Sequence, residues 1–222
     1  MDVLRIFRLL PALAGAFLFA CGGPAAPPRE AIKQGTVLVI EAADAKYKSE
    51  ASRVEAGVIT WTYYWKSRVT GTSKSYRGLI VLSSEEENHR RWIELDPKDI
   101  DRAFPLEVGR QISFAGEEHA EHEGLVFPVV GTLQVRSRET MTLKGRTYDI
   151  FVVDLAIAER RPGGERSFLK TMWYAPEIEV PLRTDYLVDG RVYSMKVVNI
   201  IEPGAKNDED TDEPRGLGTV RL

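Results

Sequence analysis

Residues 58–65 read Val-Ile-Thr-Trp-Thr-Tyr-Tyr-Trp, and this stretch indicates the fold most strongly. Ile59, Trp61, Tyr63 and Trp65 recur at every second position, and a period of two places them on one face of a β-strand. Such a face packs in a core, joins a cross-strand ladder or stacks on a ligand. Trp61, Tyr63 and Trp65 are therefore candidate residues for binding a sugar or an apolar ligand, with core packing as the alternative.

Strand-like segments continue on both sides of this stretch. They occupy residues 36–41, 79–82, 92–95, 111–114, 125–135, 139–143, 148–157 and 167–174. Turn residues at 161–164 and the Asp189-Gly190 pair separate neighbouring runs, and Asp-Gly is favoured in two-residue hairpin turns. Helical signal is weak, because residues 42–56 suit a helix by propensity but lack its periodicity, and residues 96–103 suit one turn.

Many short strands with little helix predict an all-β fold built from a single antiparallel sheet. We expect this sheet to curl into a sandwich or an open half-barrel, because one of its faces must be buried. The 222 residues fit one such domain, and a hydrophobic content of 43% is enough for a core. A formal net charge of −3 provides no basic surface, so we expect no nucleic-acid partner.

The N-terminus has the pattern of an export signal. Arg5 and Arg8 precede an apolar run over residues 9–20, which is shorter than the roughly 20 residues that span a bilayer. Residues 18–21 read Leu-Phe-Ala-Cys and resemble the lipobox of bacterial lipoproteins. We predict a signal peptide over residues 1–20 and lipidation of Cys21, the single cysteine. The alternatives are an intermolecular disulfide or a reactive thiol at Cys21, or an ordinary signal peptide whose cysteine is incidental.

The segments that flank the β-rich region are expected to lack a core. Residues 21–35, which begin Cys-Gly-Gly-Pro-Ala-Ala-Pro-Pro, form a lipidated tether to a periplasmic domain over residues 36–202. Residues 203–222 form a disordered acidic tail. Gly22 stands where aspartate usually retains lipoproteins at the inner membrane, so the predicted location is the periplasmic face of the outer membrane. The membrane, reached through the lipid anchor, is thus one predicted partner.

Three motifs in the β-rich region carry a family resemblance. Residues 104–109 read Phe-Pro-Leu-Glu-Val-Gly, residues 145–148 read Gly-Arg-Thr-Tyr, and residues 173–176 read Trp-Tyr-Ala-Pro. In this order they resemble a bacterial envelope protein family of unknown function allied to TapB-like secreted proteins. The resemblance covers roughly residues 36–201 and implies an all-β periplasmic domain. It implies no established activity and supplies no catalytic residues.

The same motifs carry physical expectations of their own. Phe104 precedes a proline and is biased to extended backbone, which directs Phe104 and Leu106 towards the core. Gly109 is expected to adopt a positive φ before the next strand. Trp173 and Tyr174 alternate, so one should be buried and the other should face outward. Trp173 is a further candidate for ligand binding, with core packing as the alternative.

Residues 117–123, Glu-Glu-His-Ala-Glu-His-Glu, form the most enzyme-like cluster of the sequence. His119 and His122 are candidate metal ligands, because imidazole and carboxylate groups bind zinc and similar ions. Their spacing is not that of the metalloprotease motif, and residues three apart on a strand point to opposite faces. The alternative is a charged hairpin tip in water. The sequence lacks a nucleophile elbow and a phosphate-binding glycine loop, so we expect no enzymatic activity and no cofactor.

These observations predict a non-enzymatic, lipid-anchored envelope lipoprotein that acts as a periplasmic binding or scaffold module for another envelope protein. Two alternatives stay open. A carrier of a lipid or other hydrophobic ligand would need a deep cavity lined by residues such as Trp61, Trp65, Ile150 and Val152. A metal-dependent hydrolase would use His119 and His122.

Overall fold

The computed structural model describes residues 32–43, 45–87, 89–188 and 190–205. The predicted signal peptide, Cys21, most of the tether and most of the acidic tail lie outside the described residues. Among the described residues, no helix combines the length and the apolar character needed to span a membrane.

Strands dominate the described chain. They are β1 (Val37–Ala42), β2 (Ala45–Glu55), β3 (Val58–Trp65), β4 (Arg68–Tyr76), β5 (Ile80–Glu86), β6 (His89–Leu95), β7 (Gln111–Ala120), β8 (Leu125–Leu143), β9 (Arg146–Arg161), β10 (Gly164–Ala175), β11 (Val180–Val188) and β12 (Arg191–Ile201). A short helix, α1 (Pro97–Asp101), lies between β6 and β7, and a 3-10 turn (Glu121–Glu123) lies between β7 and β8.

The twelve strands form one antiparallel sheet that closes into a barrel. Each strand pairs with the next along the chain, and β1 also pairs with β12, for example through Ile40 and Val197. The all-β expectation is confirmed, but the expected sandwich or open half-barrel is wrong. An open sheet would leave unpaired backbone groups along both edges, and pairing β1 with β12 satisfies both edges at once.

Alternation along each strand separates the barrel interior from its outer surface. Cross-strand partners share a face, so the register carries this assignment from strand to strand. On β10, Met172 and Tyr174 are fully buried in the interior, whereas Leu169 and Trp173 face outward. Met172 pairs with the buried Val153 of β9, which continues the interior face there.

One end of the barrel, here called the plugged end, is closed by the connection between β6 and β7. Ile100 of α1 is fully buried in the main core with Ala103 and Leu106. Asp96 caps the helix by accepting a hydrogen bond of 2.9 Å from the backbone N–H of Lys98. The buried face of this connection therefore fills space that the barrel wall leaves open.

The opposite end, here called the mouth, is where β10 begins and where β9 and β11 end. Interior side chains are only half-buried towards this end, as Phe168 and Lys170 of β10 show. The described part of the chain thus encloses a dry plugged end and an interior that water reaches at the mouth.

The sequence motifs take the positions expected from their chemistry. Leu106 is buried, and the half-buried Phe104 packs against the same core. Gly109 has a φ of 88°. Tyr174 is fully buried while Trp173 is half-buried on the outer face, which confirms the expected alternation.

Candidate functional site

The aromatic face of β3 lies inside the barrel. Trp61 is buried, and its indole N–H donates a hydrogen bond of 3.0 Å to the Ser75 hydroxyl of β4. The Tyr63 hydroxyl and the Ser73 hydroxyl are 2.7 Å apart. Trp65, the last residue of β3, is half-buried at the mouth. This face therefore passes from the core at Trp61 to the mouth at Trp65.

A small cavity of about 110 Å³ adjoins these aromatic residues inside the barrel. Its walls include Trp61 and Tyr63 together with Tyr47, Tyr186 and Met195. Small-molecule sites commonly have volumes of ~300–1,000 Å³, so this cavity does not match a long acyl chain.

The residues that a lipid carrier would need do not line one cavity. Trp61 borders the internal cavity, Val152 borders a groove on the outer surface, and Ile150 is fully buried in a core cluster. The structure therefore separates these side chains among different environments.

The groove on the outer surface is larger, at about 520 Å³, and extends across β8 to β12. Its lining residues come from these five strands: Arg136, Ser137, Glu139, Val152, Leu169, Thr171, Trp173, Asp185, Tyr186, Leu187 and Val192. Trp173, a ligand-binding candidate from the sequence, is thus part of the groove, whereas Trp61 and Tyr63 lie on the interior face.

An apolar row crosses the groove. Leu169 of β10 pairs with Leu187 of β11, and Leu187 pairs with Val192 of β12. Their exposed fractions are 38%, 40% and 64%, so each presents apolar surface to solvent. Isolated exposed leucines are ordinary, but a register-aligned row beside Trp173 forms a contiguous patch, and such patches mark interaction surfaces.

Charged groups hold the side chain of Trp173 in place. The guanidinium of Arg183 lies 4.3 Å from the centre of the Trp173 ring. The same guanidinium donates two hydrogen bonds to the Asp185 carboxylate, at 3.0 and 2.7 Å. Two-point pairing with a carboxylate fixes the plane of an arginine, so the tryptophan face is packed against an ordered neighbour.

A second polar group at the groove is also internally paired. The Thr171 hydroxyl donates a hydrogen bond of 2.7 Å to Asp154, and Arg136 donates to the same carboxylate at 3.4 Å. These contacts neutralise Asp154 within the wall. The ordered charges here and at Arg183 already have partners, so the surface that is left to contact another molecule is mainly apolar.

The two histidines of the predicted metal site have separate surroundings. The His119 ring stacks on Trp92, with ring centres 4.7 Å apart, and its Nε2 lies 3.4 Å from a Glu94 oxygen. His122 lies in the 3-10 turn, with its ring 4.5 Å from that of His89. In the part of the chain that the structure describes, no group of three His, Cys, Asp or Glu residues is arranged to hold a metal ion.

A buried carboxylate pair was missed by the sequence reasoning. Glu118 of β7 and Glu159 of β9 face the interior, with exposed fractions of 6% and 3%. Burial and the neighbouring Glu159 raise the pKa of Glu118 to about 7, although Arg91 and Arg161 oppose the shift. The sequence did hold a signal, because each glutamate lies at a strand position where the alternation expects an apolar residue. Glu118, for example, lies on the same face of β7 as Phe114.

Arginines connect this pair to the hairpin at the mouth. Arg91 contacts Glu118 at 3.3 Å and also pairs with Glu123 of the 3-10 turn. Arg161 contacts Glu159 at 2.7 Å and Glu123 at 3.4 Å. The network pairs both buried carboxylates with arginines and ties β6, β7 and β9 together, so its geometry is that of a structural cluster.

Comparisons with known proteins give a likeness of fold alone. No protein-family model and no curated protein sequence matches the chain. The hypothetical lipoprotein YmcC from Escherichia coli K12 superposes with a TM-score of 0.51 at 13% identity, covering 75% of this chain and 85% of that one. A candidate exported protein with YmcC-like fold from Bacteroides fragilis gives a TM-score of 0.47 at 10% identity, over 78% of this chain and 98% of that one. The chain therefore shares its fold with the hypothetical lipoprotein YmcC.

Proposed function

We propose that this chain is a non-enzymatic, lipid-anchored lipoprotein of the bacterial envelope whose outer groove binds an apolar segment of another envelope protein. The observation that carries the proposal is the aligned row of Leu169, Leu187 and Val192 beside the ordered Trp173. Tryptophan and arginine are enriched among the residues that dominate binding energy at interfaces, and both meet here.

The chemistry of the groove favours a partner that contributes side chains. The strands β10, β11 and β12 are paired on both sides within the closed barrel, so no free strand edge is offered for strand addition along the apolar row. Arg183 already pairs with Asp185, and Arg136 pairs with Asp154. A strongly charged partner would therefore gain little binding energy from these groups. A volume of about 520 Å³ accommodates a few large apolar side chains.

The envelope location and the anchor are supported by the sequence and by the shared fold. The predicted lipidation of Cys21 follows from the lipobox-like residues before it, and Gly22 favours the outer membrane. The motif resemblance to the envelope family allied to TapB-like secreted proteins supports the same location. The structural neighbour YmcC is itself described as a hypothetical lipoprotein.

A binding role is favoured over hydrolysis by the surroundings of the candidate groups. His119 is stacked on Trp92, and the neighbouring carboxylates Glu118 and Glu159 are buried against arginines. A hydrolase needs such groups to meet a substrate in an accessible cleft.

Site-specific photo-crosslinking in intact envelopes tests the groove. A photoreactive residue at Leu187 is expected to give a discrete adduct with one envelope protein, and Leu187→Asp in the native chain should weaken capture of that protein by about tenfold or more. Val81 of β5 has an exposed fraction of 37%, against 40% for Leu187, and serves as the matched control position. Equal labelling from both positions, or no adduct from Leu187, contradicts the proposed binding role.

The anchor has a separate test. Inhibition of lipoprotein signal peptidase with globomycin should accumulate the precursor, and Cys21→Ser should release the protein from the membrane fraction. If the Cys21→Ser protein stays membrane-bound, the proposed lipid anchor is wrong even where the groove result holds.

A further inference from the structure

Lys170 occupies an unusual position inside the barrel. It pairs across the sheet with the buried Leu155 of β9 and with Tyr186 of β11, so its side chain lies on the interior face. Phe168 on the mouth side is half-buried, and Met172 on the plugged side is fully buried. Lys170 is therefore the last cationic side chain of β10 before the dry core.

No carboxylate among the described residues forms an ion pair with Lys170. Its Nζ lies 5.7 Å from the centre of the Tyr186 ring, and burial lowers the pKa of its ammonium group to about 8. Buried lysines are normally paired, because removing an ammonium group from water is costly. Lys170 is therefore a half-buried cation that contacts an aromatic ring and has room to pair with a bound anion.

The surroundings of Lys170 supply the rest of a binding site. The neighbouring Tyr186 also lines the internal cavity, and Tyr47, Tyr63 and Met195 form part of the same wall. The Tyr47 hydroxyl donates a hydrogen bond of 3.0 Å to the Met195 sulfur, and the Tyr63 hydroxyl is hydrogen-bonded to the Ser73 hydroxyl. The Tyr186 hydroxyl makes no hydrogen bond to the described residues, so it can donate to a bound molecule.

We propose that the interior of the barrel, at the level of Lys170, binds a small anion that carries a short apolar body. The Lys170 ammonium and the Tyr186 hydroxyl hold the anionic head, and the apolar body enters the aromatic cavity beside Tyr47 and Tyr63. A carboxylate and a phosphate monoester share this chemistry. The cavity of about 110 Å³ limits the body to a short chain.

A second cation lies nearer to the mouth on the same face. Arg166 lies opposite Glu159 in the strand register, yet its guanidinium lies over the Phe168 ring, 4.5 Å from the ring centre. No described carboxylate forms an ion pair with Arg166. Arg166 thus adds a second positive charge on the mouth side of Lys170, although the buried Glu159 faces the interior at the level of Arg166.

This site lies on the interior face and the outer groove lies on the opposite face of the same strands, with Tyr186 bordering both. Binding of a small anion in the interior neither requires nor excludes a protein partner at Leu187. Failure of either proposal leaves the other intact.

Titration calorimetry on the non-lipidated mature domain tests the site, with hexanoate and hexyl phosphate as anionic probes and 1-hexanol as the neutral probe. At least one anion should bind with saturation, and Lys170→Met should weaken it by about tenfold or more. Binding of 1-hexanol should be the same in both proteins. Lys74→Met, at an exposed lysine of β4, is the matched control and should bind like the unaltered domain.

A measurement on the unaltered domain guards against a folding defect in the variant. With ¹³C-labelled lysine, the Lys170 Cε signal should shift on addition of the bound anion while the Lys74 signal stays fixed. The proposal is overturned if neither anion saturates, if Lys170→Met binds as tightly as the unaltered domain, or if the Lys170 signal does not move. Saturation by hexanoate alone or by hexyl phosphate alone identifies the head group.

Discussion

The two ends of the barrel interior are built from the same strands, yet their side chains fill the interior to different extents. At the plugged end, Ile100 from a connection outside the wall completes a core in which Met172 and Tyr174 are fully buried. At the mouth, Lys170 and Phe168 of the same strand β10 stay half-buried. A barrel of twelve strands encloses more space than its own inward side chains fill. The difference shows that water is excluded where the connection between β6 and β7 closes the barrel, and that the mouth can hold polar side chains.

The largest effect is expected from removing the plug contact. Ile100→Ala should lower the free energy of unfolding by about 3 kcal/mol, because it deletes fully buried groups and leaves a cavity. Ile93→Ala, at a half-buried interior position of β6 near the mouth, should cost about 1 kcal/mol. Urea denaturation of the two variants measures the difference. Equal costs would mean that the two ends are packed alike.

The next effect is the pH dependence of the free energy of unfolding that arises from Glu118, towards the mouth. The pKa of Glu118 is raised in the folded protein to about 7, above its value of 4.5 without burial. Its contribution to stability is therefore complete below about pH 4.5 and is lost as the pH rises through 7. The free energy of unfolding should fall by about 2 kcal/mol from this group between pH 5 and pH 8.

Glu118→Gln should remove that fall, because the amide is neutral throughout the range. Glu117→Gln, at the exposed neighbouring position of β7, is the matched control and should keep the pH dependence of the unaltered protein. Denaturation at a series of pH values between 5 and 8 provides the comparison. A pH profile unchanged by Glu118→Gln would show that the buried pair does not titrate in this window.

Part of this contrast could be predicted from the sequence. The alternation in residues 58–65 correctly predicted β3, and the expectation of one helical turn within residues 96–103 correctly located α1. The strands β2 and β4 were missed for a physical reason. They flank the bulky interior face of β3, and the positions opposite Trp61 and Tyr63 are small: Ala51, Ser73 and Ser49. Small residues opposite large ones fill the space well but leave little hydrophobic periodicity to detect.

The closure of the barrel and the groove are non-local, and this explains why the sequence did not reveal them. Pairing of β1 with β12 joins opposite ends of the domain, and no local pattern encodes it. Leu169, Leu187 and Val192 are scattered along the chain and become a row only through the register of three strands. Trp173 could be identified as a candidate because a local sequence pattern shows an aromatic residue next to a strand end. Arg183, which packs against it, lies on another strand and could not be identified in this way.

The smallest effect is expected at the border between the dry and wet parts of the interior. The Tyr63 and Ser73 hydroxyls are 2.7 Å apart, with Ser73 buried and Tyr63 half-buried. Tyr63→Phe should cost about 1 kcal/mol of unfolding free energy, because the buried Ser73 hydroxyl loses its partner. Ser73→Ala should cost a similar amount. In the double variant both polar groups are gone, so the costs should be less than additive, with a coupling of about 1 kcal/mol from the double-mutant cycle. A coupling near zero would mean that water replaces either hydroxyl, and the wet part of the interior would then extend past Ser73 towards the plugged end.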